Sequence, residues 1–257
     1  MVANTQQPAA WIVRPRPRPS AKVRLLCFPY AGAGASAFRL WPDGLPPEVE
    51  VCAVQLPGRE SRFREPPYTD LRSAAAAVAT AVLPSLRAPF ALFGHSMGAL
   101  MAYEFALRGQ AAGVPPAHLF VSGRRAPHLP ERFPLLCPLP DDEFLRSLEE
   151  RYGGMAAGIR ASPDLVALLL PTLRADVFAV ESYQGRTEAP ILAPMTALGG
   201  EDDPFATRDE MAGWQRQADK PLTTTMLPGG HLFLNTHRQA LLALVRGTLG
   251  QAGLLPG

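Results

Sequence analysis

From residue 22 onward, short apolar runs alternate with longer amphipathic stretches. That rhythm predicts an α/β domain, a mostly parallel sheet with helices on both faces. Runs at 23–28, 49–56, 90–94, 118–123, 191–199 and 222–228 read as strands. Stretches near 70–87, 97–109, 207–218 and 232–249 read as the covering helices. Between the fourth and fifth strands lie about 65 residues, far more than a crossover needs. Two further helical patterns fall there, 141–152 and 163–183. The first opens on acidic residues, as a helix N-terminus favours, and Pro171 is expected to kink the second. We therefore expect one domain over 21–257 with a helical lid inserted at about 126–188, lying over the C-terminal edge of the sheet.

Ahead of the first strand, RPRPRP at 14–19 alternates arginine with proline and offers nothing apolar to bury, so residues 1–20 read as a flexible tail. The opening MVANTQQPAAWIV lacks a basic region followed by a long apolar one, and nowhere does the chain run apolar for about 18 residues. Neither export by that route nor a membrane span is expected. With 47% apolar and 19% charged residues the chain is expected to pack a core, and a net charge of +2 gives no electrostatic reason to expect a nucleic acid partner. Cys27, Cys52 and Cys137 are odd in number and lack metal-ligand spacing. Cys27 and Cys52 lie in apolar runs and read as small core residues, which suits a reducing, cytoplasmic compartment.

The candidate chemistry centres on FALFGHSMGALMAYEFAL, where an apolar strand runs through Gly94-His95-Ser96-Met97-Gly98 into a helix. A bare G-x-S-x-G should arise by chance in roughly one such chain in fourteen, so the string alone is weak. Its strand-turn-helix setting makes it specific, because that turn holds a serine in a strained, exposed position and the two glycines let the backbone close. His95 is expected to face away and serve packing or orientation. A serine hydroxyl needs a base, and the base needs a partner that fixes its tautomer. LGGEDDPF follows the fifth strand and supplies Asp203, with Asp202 as the alternative; LPGGHLFL follows the last strand and places His231 on a Gly-Gly corner. His118, His128 and His237 lie in a strand, a Pro-rich loop and the last helix, and read as structural. The order Ser96, Asp203, His231 is that of an α/β-hydrolase. The oxyanion should be met by two backbone amides, Met97 after the nucleophile and Ala31 in the Gly-rich turn CFPYAGAGAS. That turn lacks the Lys-Ser/Thr ending and the G-x-G-x-x-G spacing of nucleotide loops.

Taken together, CFPYAGAGASAFRLW, QLPGRESR, FGHSMGALMAYEFA, GGEDDP and LPGGHLFL resemble the discrete type II thioesterases of polyketide and nonribosomal peptide synthesis. The resemblance spans nearly the whole chain. It implies hydrolysis of stalled or misprimed acyl groups from the phosphopantetheine arm of an acyl or peptidyl carrier protein, through an acyl-serine and without a metal or other cofactor; the triad by itself equally suits a discrete chain-releasing thioesterase or a generic carboxylesterase. Ala33 departs from the family's usual third glycine and Leu232 from its phenylalanine; a positive φ at position 33 would strain the oxyanion turn. On this reading Leu168, Leu169, Leu170 and Leu173 of the lid wall the acyl chamber. Arg59, Arg62, Arg64, Arg124 and Arg125 are candidates for docking an acidic carrier protein.

Overall fold

The structure is a computed structural model and describes residues 10–86, 89–153, 162–185 and 190–256. Seven strands form one sheet: β1 (Ile12–Val13), β2 (Val23–Phe28), β3 (Val49–Val54), β4 (Phe90–His95), β5 (His118–Ser122), β6 (Met195–Gly200) and β7 (Thr223–Leu227). Their spatial order is β1-β3-β2-β4-β5-β6-β7, parallel throughout except that β1 runs antiparallel to β3. Helices α1 (Leu71–Val82), α2 (Met97–Ala111), α3 (Asp141–Tyr152), α4 (Pro163–Glu181), α5 (Arg208–Ala212), α6 (Phe233–Thr236) and α7 (Arg238–Gln251) make the connections.

Because alternate strand residues point to opposite faces, the sheet builds two cores. Leu26, Phe28, Leu92, Leu119 and Val121 pack on one side with α1 and α2. Leu25, Cys27, Ala91, Phe93 and Phe120 pack on the other, against Leu241, Leu242, Val245 and Leu249 of α7. The central strands are therefore apolar on both faces, which is why they read as continuous runs rather than alternations. Cys27 and Cys52 sit in these cores as small apolar residues, and burial pushes the Cys52 thiol up to about 12.

Several boundaries differ from the sequence pattern. The run at 191–199 enters the sheet only at Met195, since Pro194 cannot donate to a ladder; Ile191 makes an isolated bridge to Ala218. The pattern at 207–218 divides into α5 and a 3₁₀ turn, and that at 232–249 divides at His237, which joins α6 to α7. Helix α4 runs on through Pro171, and Ser162 caps it by accepting from the Leu165 N–H.

The flexible tail requires correction for residues 10–20. Trp11 is buried beneath the Arg62 guanidinium, which lies 4.0 Å from the ring centroid, and its carbonyl accepts from the Gln55 N–H. Ile12 and Val13 then extend the sheet beside Val54 and Ala53. Arg18 threads its guanidinium among the carbonyls of Pro42, Leu45 and Val49, while Arg14 and Arg24 share the buried Glu50 carboxylate. Trp11 and Ile12 thus anchor the segment, and Arg18 satisfies carbonyls beside the sheet, while the more exposed Arg14 and Arg16 pair with Glu50 and Asp43. Among the described residues no helix is long and apolar enough to cross a membrane.

Between β5 and β6 the two long helices α3 and α4 form a third, separate apolar cluster: Leu136, Phe144, Leu145, Leu148, Leu170, Leu173 and Val177. Polar straps complete it. Arg174 pairs with Asp141 and donates to the Cys137 and Leu139 carbonyls, and the Glu181 carboxylate accepts from the Leu136 and Cys137 N–H groups.

Candidate active site

A parallel sheet puts the C-terminal ends of its strands on one edge, so the loops after β2, β4, β5, β6 and β7 converge. Ser96 follows β4 directly and caps α2 with φ 54 and ψ −115, one of two non-glycine residues with positive φ among those described. The flanking glycines explain how that turn closes. A Cβ on Gly94 would lie 2.0 Å from the Gly98 carbonyl oxygen, and one on Gly98 would lie 2.1 Å from that of Phe28. Neither position admits a side chain. The Ser96 N–H donates to the Ser122 carbonyl of β5 at 2.8 Å, which pins the strained residue to its neighbouring strand.

Asp203 and His231 come together as their loops pack backbone to backbone: a Cβ on Gly200 would meet the Gly229 and Gly230 carbonyls, and Gly229 takes φ +100. The His231 Nδ1 lies 2.7 Å from the Asp203 Oδ2, and the other carboxylate oxygen accepts from the Phe205 N–H at 2.9 Å. The Asp203 side chain is fully buried against His231, while Asp202 is exposed. A carboxylate at Nδ1 fixes the tautomer that presents Nε2 as the acceptor. His231 and Ser96 border the same cavity but are not hydrogen-bonded to each other. His95 lies beneath, its ring centroid 5.2 Å from that of His231 and its Nδ1 2.9 Å from the Ser122 hydroxyl. Burial holds its pKa well below the usual histidine value, so the ring supports the site as a neutral group.

Of the oxyanion candidates, Ala31 lines the cavity beside Ser96, and Met97 is the first residue of α2. The turn is closed by the Ala33 N–H donating to the Tyr30 carbonyl, and Gly32 takes the positive φ of +76. Ala33 has no positive φ, so its departure from glycine causes no strain.

The cavity walls differ from expectation. Leu168, Leu169, Leu170 and Leu173 are not among the lining residues. Leu170 and Leu173 face the α3–α4 cluster, and Leu168 points outward with 45% of its surface exposed. The helix instead turns Val177 and Val180 inward, one to two turns later, beside Leu136 and Leu148. An aromatic group completes the wall: Phe133 stacks near Phe205, Phe205 near Tyr152, and the Tyr152 ring centroid sits 4.6 Å from that of His231. Burial raises the Tyr152 phenol, leaving a neutral hydroxyl there. Sequence reading missed Tyr152 and Phe205; the place of Phe205, two residues after Asp203, was the available signal.

Three of the five docking arginines are also corrected. Arg59 and Arg62 are nearly inaccessible and pair with Asp176 and Glu65, and Arg125 is buried between Glu131 and Glu210. A guanidinium in an apolar setting needs such partners, and burial against them leaves these three arginines little surface to offer a docking protein. Arg64 is exposed and Arg124 half-buried at the cavity. His118, His128 and His237 bond to Thr196, Gln217 and Thr236, away from the cavity. Among the described residues no group of three His, Cys, Asp or Glu side chains is placed to hold a metal ion.

A parallel sheet with a strained serine after its central strand, and a buried aspartate–histidine pair at the same edge, defines an α/β-hydrolase. The thioesterase-domain family matches residues 23–249, and the chain belongs to that family. It is 42% identical to linear gramicidin dehydrogenase LgrE of Brevibacillus parabrevis, over 94% of this chain and 93% of that protein. It is 40% identical to thioesterase PikA5 of Streptomyces venezuelae, over 88% of this chain and 80% of that one. Among solved structures it is similar to the type II thioesterase BorB of the borrelidin biosynthetic cluster, with TM-score 0.85 and 35% identity over 93% and 98% of the two chains.

Proposed function

We propose that the chain is an editing thioesterase that removes stalled or aberrant acyl groups from the phosphopantetheine arm of carrier proteins in polyketide or nonribosomal peptide synthesis. The observation that carries the chemistry is the buried Asp203–His231 pair opening onto the cavity that Ser96 borders. Ser96 is the nucleophile, His231 the base and Asp203 the residue that orients it. The thioesterases PikA5 and BorB, of comparable length, support the substrate class. Helices α3 and α4 serve as the lid, Val177, Val180, Leu136 and Leu148 meet the acyl chain, and Arg64 and Arg124 face the carrier. The three free cysteines suit a cytoplasmic setting.

The His231 Nε2 takes the Ser96 proton as Oγ bonds to the thioester carbon, and the oxyanion is met by the Ala31 and Met97 amides. The serine–imidazole hydrogen bond forms on substrate binding, as catalytic contacts in unliganded enzymes commonly tighten then. The C–S bond breaks, and the imidazolium protonates the departing thiolate. Water then attacks the acyl-serine, giving its proton to the same nitrogen, which returns it to Oγ as the acid leaves. The Asp203 carboxylate stabilises the imidazolium through both steps.

The test follows acylated carrier protein by intact-protein mass spectrometry with wild type and Ser96→Ala. Deacylation is expected to fall by about 10⁴-fold or more in the variant. A variant within tenfold of wild type would sink the serine mechanism, and preferential cleavage of matched oxygen esters would sink the substrate assignment.

A further inference from the structure

Behind the turn that carries Ala31 lies a buried ion pair that does not line the acyl cavity. Arg59, in the loop after β3, pairs both ends of its fork with Asp176 of α4: Nη1 to Oδ2 at 2.5 Å and Nη2 to Oδ1 at 2.7 Å. The pair grips the turn from both sides. The Gly32 N–H donates to the Asp176 Oδ2 at 2.8 Å, and the Arg59 Nη1 donates to the Ala33 carbonyl at 3.2 Å. Arg59 is itself held, its Nε donating to the Pro57 carbonyl and its own carbonyl accepting from the Gln55 Nε2. One turn earlier on α4 the Thr172 hydroxyl donates to the Gly58 carbonyl at 2.7 Å. The second oxyanion residue, Met97, borders the same small cavity as Arg59 and Asp176.

Both side chains are about 95% buried, where an ion pair seldom stabilises a fold better than apolar groups of the same volume would. Its use must lie in geometry. The Ala31 amide shares its turn with the two groups that the pair holds, and oxyanion donors act only when preorganised to a few tenths of an ångström.

We propose that Arg59 and Asp176 are positioning residues that set the Ala31 amide for the oxyanion, so that the donor is complete only while α4 is seated on the sheet. The inference rests on the assignment of Ala31 as an oxyanion donor. When α4 lifts, the carboxylate leaves the Gly32 N–H and the Arg59 fork loses its partner, so the turn is released. Seating α4 thereby completes the donor for the acyl-transfer step, without the pair lining the acyl cavity.

Two variants separate positioning from folding: Asp176→Asn, which keeps the shape, and Arg59→Met with Asp176→Leu, which removes both charges together. For a small acyl thioester we expect kcat to fall about 10- to 100-fold with KM little changed. The affinity for a trifluoromethyl ketone, which forms a tetrahedral oxyanion adduct, should fall in parallel, whereas that for an uncleavable thioether analogue should hold. Wild-type kcat and ketone affinity in either folded variant would overturn the proposal, as would equal weakening of ketone and thioether. A third arm needs no substitution: in the wild type, Gly32 amide exchange should share the opening free energy of α4, and exchange independent of α4 would refute the coupling. Full activity in Ser96→Ala would instead strike the parent mechanism, whereas a dead Ser96→Ala beside a fully active Asp176→Asn would strike this inference alone.

Discussion

The sheet and the insertion between β5 and β6 are held together by different means. In the sheet, apart from the Arg24–Glu50 pair, strand after strand is closed by apolar and uncharged side chains on both faces, and the edge that carries Ser96 is shaped by glycines whose missing side chains leave backbone touching backbone. In the insertion, a cluster of seven buried apolar residues is strapped by Arg174 and Glu181 to backbone groups, and Leu165, Leu168 and Phe178 remain exposed on its outer helix. The rigid part carries Ser96, Asp203 and His231, which must hold their geometry. The lightly anchored part supplies walls of the cavity that Ser96 and His231 border, among them Leu148, Val177 and Val180. A region with few buried apolar contacts opens at lower cost than the global core.

Four measurements sharpen or break this contrast. The largest effect should come from Gly98→Ala, because its Cβ would sit 2.1 Å from the Phe28 carbonyl oxygen and neither backbone can retreat. A loss of about 4 kcal/mol or more is expected in chemical denaturation, and a wild-type midpoint would show that the elbow has slack.

Next, Phe93→Ala and Phe144→Ala compare two fully buried phenylalanines, one in the sheet and one in the insertion. We expect Phe93→Ala to cost about 3–5 kcal/mol in global unfolding. Phe144→Ala should cost clearly less there and instead accelerate hydrogen exchange in α3. Equal global costs would mean that the two regions unfold as one.

Acid should act on the sheet through His118, which burial holds at about 4 instead of the ordinary 6.5. A histidine whose folded pKa is depressed contributes its full share above pH 6.5, and that share is lost as pH falls from 6.5 towards 4, because the unfolded chain binds the proton first. The loss is at most about 3 kcal/mol. His118→Gln should flatten the dependence of the midpoint on pH over that window; an unchanged slope would assign the acid sensitivity elsewhere. The smallest effect belongs to Leu168→Ser on the exposed face of α4, expected to stay within about 0.5 kcal/mol of wild type. A larger loss would show that this face is covered.

The amino-acid sequence by itself determined the features that depend on neighbours along the chain. These are the parallel α/β rhythm, the elbow at Ser96 and the Gly-rich corners that deliver Asp203 and His231 in order. Each is local physics, strand and helix periodicity joined to glycines where no side chain fits. The tertiary structure alone decided matters that join distant segments. It sealed Asp203 against His231, docked Trp11 and Arg18, turned Val177 rather than Leu173 towards the cavity, and buried Arg59 against Asp176, 117 residues away. An arginine's sequence surroundings look the same whether it is solvated or sealed against a carboxylate, because what seals it arrives from elsewhere in the chain.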